Sequence, residues 1–245
     1  MGRIKPMLRL VALALSIALV GAACGGSGTG TAGDNAGAGN TSSSMEHMEG
    51  MDDATQVAVD MGAPGLTASL TDLLENHVYL ASAAVLEAKL TKSTTSPEFK
   101  AAAGALDSNT VDLSKAIASV YGDAAGKQFL SLWRKHIGFF VNYAVGRLTG
   151  NTKQENKAKS DLKHYKKDFA AFLAKATGGN LPANAAAASL QAHVDSLIEV
   201  INSVIDGKGD PFALLYTAAH HHMPMTATAL AGAIAKQYPS KFPTN

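Results

Sequence analysis

From Leu66 onward, apolar residues recur three and four positions apart, alanine fills many of the places between them, and no sustained alternation marks a strand. The pattern predicts an all-α domain. Its interruptions are clusters of turn and capping residues: Thr94-Thr95-Ser96-Pro97, Gly122-Asp123, Gly150-Asn151, Gly178-Gly179-Asn180-Leu181-Pro182 and Gly207-Lys208-Gly209-Asp210-Pro211. Five breaks leave six helices.

The first, third and fifth helices begin alike. Leu73 to Val78, Leu132 to Ile137 and Ser189 to Val194 each place a histidine (His77, His136, His193) before a β-branched residue, at intervals of 59 and 57 residues. The repeat predicts a six-helix bundle built from three helical hairpins. In the second helix of each hairpin, Asn109, Tyr165 and His222 fall in register, as do Ile117, Leu173 and Leu230, with Phe99 set over Phe212. Leu215, His222, Thr226 and Leu230 share one helical face, which turns His222 toward the core and Met225, three residues on, to the same side. His220 and His221 are rotated away. Pro224 lacks an amide hydrogen, so a kink or restart is expected beside the carbonyl of His220.

The segment before the bundle reads differently. Arg3, Lys5 and Arg9 precede the apolar run Leu10 to Val20 and the small residues Gly21-Ala22-Ala23, then Cys24, the single cysteine. Residues 1–23 read as a lipoprotein signal peptide and Cys24 as the lipidated residue that anchors the protein to the outside of a bacterial cell membrane. Residues 24–65 form a flexible Gly-, Ala-, Ser- and Thr-rich linker carrying a Met/His-rich segment, and residues 66–245 the helical bundle. Without the signal the chain carries a net charge of about −2, which gives no reason to expect nucleic acid. A protein partner in the cell envelope fits this location.

Composition changes the picture at one point. Beyond the signal, methionine occurs in only two regions, and both hold histidine: Met45, His47, Met48 and Met51, with Met61 trailing, and His220 to Met225. The apolar helices between contain none, so methionine is not serving as core filler. Thioether and imidazole donors together favour copper, Cu(I) above all, and with Cys24 lipidated no thiol remains to compete. Met45, His47, Met48 and Met51 are therefore a candidate capture site on the linker, and His221, His222, Met223 and Met225 a candidate site on the domain. His77, His136 and His193 either converge on a further metal ion or are structural histidines repeated with the hairpin. Trp133, Phe139, Phe140, Tyr143, Phe169 and Phe172 have core spacing. The stretch Lys153 to Lys167, with His164 and Tyr165, reads as a solvated face. No Glu-x-x-His pair, Cys-x-x-Cys-His or Gly-rich phosphate loop occurs, which disfavours di-iron, attached haem and nucleotide chemistry.

The approach to His77, Phe129-x-x-Leu132-Trp133-Arg134-x-His136, Ala192-His193, Ala219 to Met223, and Leu230-Ala231-Gly232-Ala233-Ile234-x-x-Gln237-x-Pro239-x-x-Phe242 resemble, over residues 66 to 242, an extracytoplasmic six-helix domain of bacterial envelope proteins often labelled "copper amine oxidase-like". The resemblance implies the fold, an envelope location and an association with copper. It does not extend to amine oxidation, since Phe139-Phe140-Val141-Asn142-Tyr143-Ala144 lacks the Thr and the acid that flank the quinone-forming tyrosine of true amine oxidases. The reading is a lipid-anchored copper-binding protein, not an enzyme, that buffers, captures or delivers copper. A metal-free helical interaction module is the alternative.

Overall fold

The computed structural model describes residues 63–242, and every regular element among them is helical. These are α1 (Ala63–Thr91), α2 (Pro97–Tyr121), α3 (Asp123–Thr149), α4 (Thr152–Ala176), α5 (Ala183–Asp206), α6 (Pro211–Thr217), a π-helical turn (Ala218–His222) and α7 (Met223–Gln237). The backbone stays helical through Ala218 and Met223, so α6, the π turn and α7 form one continuous rod, the sixth of the bundle.

Each break is a capping device. Ser96 accepts the amide of Phe99 at the start of α2, Asn151 that of Gln154 at the start of α4, and Asp210 those of Phe212 and Ala213 at the start of α6. Gly150 and Gly207 end α3 and α5 in the left-handed region that a side chain would oppose. Short connections make successive helices antiparallel neighbours, and the sixth rod returns to α1. The odd helices α1, α3 and α5, parallel to one another, meet along the middle.

The core is the stripe of each helix facing that middle, including Leu70, Leu113, Trp133, Phe140, Tyr143, Phe169, Leu197 and Ile234. The Tyr143 hydroxyl donates to Asn202 at 2.7 Å, a structural bond between α3 and α5. Phe139 and Phe172 pack at the core edge. Two expectations need correction. Tyr165 belongs to the core and not to a solvated face, because Ala158, Leu162, Tyr165 and Phe169 follow the helical period through the lysine-rich stretch and are all buried. Phe212 is 75% exposed although Phe99 faces inward onto a cavity. The π turn adds about one residue, which rotates α6 against α7 by roughly 100° and takes Phe212 out of register.

That turn has a local cause. Pro224 cannot donate to the carbonyl of His220, and its ring would press on it, so the backbone widens over the preceding residues. The interruption expected from the sequence is thus a π turn and not a break.

Candidate metal centre

His77 on α1, His136 on α3 and His193 on α5 sit near the middle of their helices, not at the starts, and all point to the bundle axis. They are 1%, 3% and 7% exposed. One nitrogen from each ring can be chosen so that all three lie within 4.8 Å of one another, and the Nε2 atoms of His77 and His136 are 3.4 Å apart. Ligand distances of about 2.0–2.1 Å put two nitrogens on one tetrahedral or trigonal ion roughly 3.3–3.6 Å apart. The His77–His136 pair already has that span.

The surroundings are aromatic and largely apolar. Trp133 packs edge-on against His136 and against His77, with ring centroids 4.5 and 5.0 Å away, and Tyr165 stacks on His136 at 5.3 Å. Phe140 contacts both His136 and His193. Burial holds the His77 imidazole down to about 4 and His193 to about 3. It also puts His136 well below the ordinary histidine range, reinforced by His77 and His193 beside it, while the Trp133 backbone acts weakly in the opposite sense. All three are neutral at pH 7. Burial raises the Tyr165 phenol, so it too is uncharged.

Neutral imidazoles here are poorly satisfied. Nδ1 of His77 and both nitrogens of His193 are buried without a hydrogen-bond partner. Each such atom ordinarily costs about 1–3 kcal/mol. Rings that each bring a nitrogen within reach of one ion, two of them with buried nitrogens left unpartnered and none beside a carboxylate in the group, are suited to hold a metal ion. A buried three-histidine cluster capable of chelating a metal is therefore present in an all-helical domain.

The three units build this cluster in corresponding ways. Asn109 donates to the Leu73 carbonyl one turn before His77, Tyr165 stacks on His136, and the His222 ring lies 6.1 Å from that of His193 and nearly parallel to it. The position aligned across the three second helices thus abuts the histidine turn of its own hairpin in each unit. His222 is half-buried, its Nε2 has no partner, and burial lowers its pKa against a weaker opposing effect of the Ser189 backbone.

The second cluster, on the sixth rod, does not assemble as expected. The buried face of α7 runs through Met223, Ala227, Leu230, Ala231 and Ile234. Met223 is in the core at 3% exposure, whereas Met225 is 63% exposed. They are two positions apart, which is about 200° of rotation, and His222 sits on the shoulder between core and solvent. His222, Met223 and Met225 therefore face three directions and do not form one ligand set. His221 is exposed beside the Tyr216 ring. His220 joins the rod to α1: its Nδ1 lies 3.2 Å from Glu75 and its Nε2 2.8 Å from the Tyr79 hydroxyl, so the Nδ1–H tautomer donates to the acid and accepts from the phenol. We expect Met223→Ala to cost about 2–5 kcal/mol of stability and Met225→Ala less than about 0.5 kcal/mol, measured by urea unfolding of the metal-free protein.

Cys24, Met45, His47, Met48 and Met51 lie outside the described residues. The contribution that sequence reasoning missed is Tyr165, whose i, i+4 relation to Phe169 was the available signal. Compared with known proteins, the chain matches no family model, no curated protein and no solved structure. The six-helix architecture agrees with the fold that the resemblance implies, the meeting of the three histidines decides a point the sequence left open, and family membership follows from neither.

Proposed function

We propose that the protein is an extracytoplasmic, lipid-anchored copper-binding protein that captures, buffers or hands on Cu(I), and that it does so as a binding protein without catalysing a reaction. The observation that carries this reading is the convergence of His77, His136 and His193 in a chamber of aromatic side chains with no acidic ligand in the group. Three neutral donors leave the full charge of an ion uncompensated, and the cost of burying charge grows with its square. A monovalent ion that accepts three imidazoles is favoured there over a divalent one.

The Met- and His-rich segment at Met45, His47, Met48 and Met51 supports copper among such ions, since thioethers prefer Cu(I) and need no deprotonation. In this reading the segment makes first contact and the helical domain holds the ion away from solvent. The anchoring role of Cys24 and the location outside the membrane rest on the sequence of residues 1–24. The described helices themselves are not long and apolar enough to cross a membrane.

The test is a competition titration of the full chain with Cu(I) against a coloured chelator. Two classes of site are expected. One is lost in a His77→Ala/His193→Ala variant and the other when Met45, Met48 and Met51 are replaced together. Copper uptake unchanged in both variants would exclude the reading.

A further inference from the structure

A cavity of about 30 Å³ adjoins the three-histidine cluster, and its lining shows where it lies. His77 and His136 form one end. The walls include Ala84 and Val85, two turns beyond His77, Phe140 and Ala144, one and two turns beyond His136, and Leu197 and Ile201, one and two turns beyond His193. Since α1, α3 and α5 run parallel, residues at these offsets occupy successive layers of the same axis on which the histidines meet. The cavity therefore lies in the layers next to the cluster, meets it at His77 and His136, and reaches outward to Phe99 and Leu106 of α2.

Held by three imidazoles, a tetrahedral ion would keep one further coordination position, and the cavity beside His77 and His136 is space into which it would open. On the other flanks the cluster is covered by Trp133, Tyr165 and the neighbouring His222. The axial space is apolar apart from the two histidines and Thr94 at its far end. A water needs two to four polar partners to reside in such a space, and an ion needs donors, so neither is a good occupant. One water needs only about 10–15 Å³ of such space, so about 30 Å³ leaves room for a molecule slightly larger than water.

Resting on the metal reading above, we infer that the axial cavity is a binding pocket for one small neutral diatomic molecule, which coordinates the open position of an ion held by His77, His136 and His193. Carbon monoxide and dioxygen are both apolar enough to enter without hydrogen bonds and both bind low-valent ions, carbon monoxide as a donor that also accepts back-donation and dioxygen by accepting electron density from the ion. Binding requires no change of oxidation state when carbon monoxide is the ligand, which makes it the probe.

The experiment is infrared spectroscopy of the Cu(I)-loaded full chain under carbon monoxide, in the wild type and in Ala144→Leu and Ala84→Val, which fill the cavity to different extents. A single C–O stretching band shifted from that of the free gas is expected in the wild type. Carbon monoxide affinity should fall at least tenfold in Ala144→Leu and by less in Ala84→Val, with the domain still taking up Cu(I) at its histidine site in both. If Ala144→Leu does not fold, the milder variant carries the comparison. Cu(I) uptake without a carbonyl band, or a band indifferent to both substitutions, would overturn the inference alone. If the histidine site takes up no Cu(I), the metal reading falls and this inference with it.

Discussion

Replacing His136 with alanine is expected to weaken Cu(I) binding at the domain at least a hundredfold. His136 is one of the three candidate ligands: its Nε2 lies 3.4 Å from that of His77, its ring is stacked on Tyr165 and wedged against Trp133, and it is buried from solvent. Removing it leaves two imidazoles and a space lined by aromatic and aliphatic carbon. Water is a poor substitute ligand there, because nothing nearby holds its hydrogens. A hundredfold loss is about 2.7 kcal/mol, modest for one of three ligands, so the true effect should exceed this bound. The control is His164→Ala, on the exposed face of α4 with its Nδ1 on the Ser160 carbonyl, which should change affinity by less than about twofold. Competition titration of both variants, with helicity checked by circular dichroism, decides the matter. An affinity loss under threefold for His136→Ala would show that the histidines meet for structural reasons only.

Much of the frame behind this expectation was legible in the sequence because it depends on local chemistry. Caps at Ser96, Asn151 and Asp210 and glycines at Gly150 and Gly207 act within a few residues, so the helix ends could be read directly. The repeat then constrained what no single helix could. Equivalent residues of parallel helices around a common axis face the same axis, so the three histidines either all meet or all miss. What the sequence did not disclose is rotation about helix axes where the period is disturbed. Pro224 signalled an interruption, but a break, a kink and a π turn orient Met223 and Met225 differently, and with the π turn Met223 is inside and Met225 outside. Tyr165 was hidden by its lysine neighbours, whose charge outweighed the period that buries it. The axial cavity was illegible altogether, since a void arises from the side chains of several helices failing to fill one layer.

The same burial that keeps the histidines neutral should make the metal-free domain lose stability steeply in mild acid. A histidine in the unfolded chain titrates near 6.5, whereas burial holds His77 at about 4 and His193 at about 3 in the folded one, with His136 also well below the usual range. Above pH 6.5 neither state binds these protons and the stability is fully present. Below it the unfolded chain takes up protons that the native cluster refuses, so stability falls with pH until the folded values are reached. At 1.36 kcal/mol per unit, His77 alone removes about 3 kcal/mol and His193 about 5 kcal/mol over the full window. With His136 lowered as well, the slope around pH 5 rises toward a limit of about 4 kcal/mol per pH unit, set by three protons. Domain stabilities are typically about 5–15 kcal/mol, so the metal-free protein should unfold between about pH 5 and pH 4. Urea unfolding at pH 7.5, 6 and 5 measures the slope directly, and His193→Leu, which replaces a buried imidazole by a buried apolar side chain, should reduce it by about one third. Stability unchanged from pH 7.5 to 5 would mean that the cluster accepts protons while folded, which is incompatible with three neutral imidazoles in an apolar chamber. A bound ion must resist the acid loss through the same nitrogens, so the metal-loaded protein should keep its fold to lower pH only until protons displace the ion, and then unfold and release it in one step.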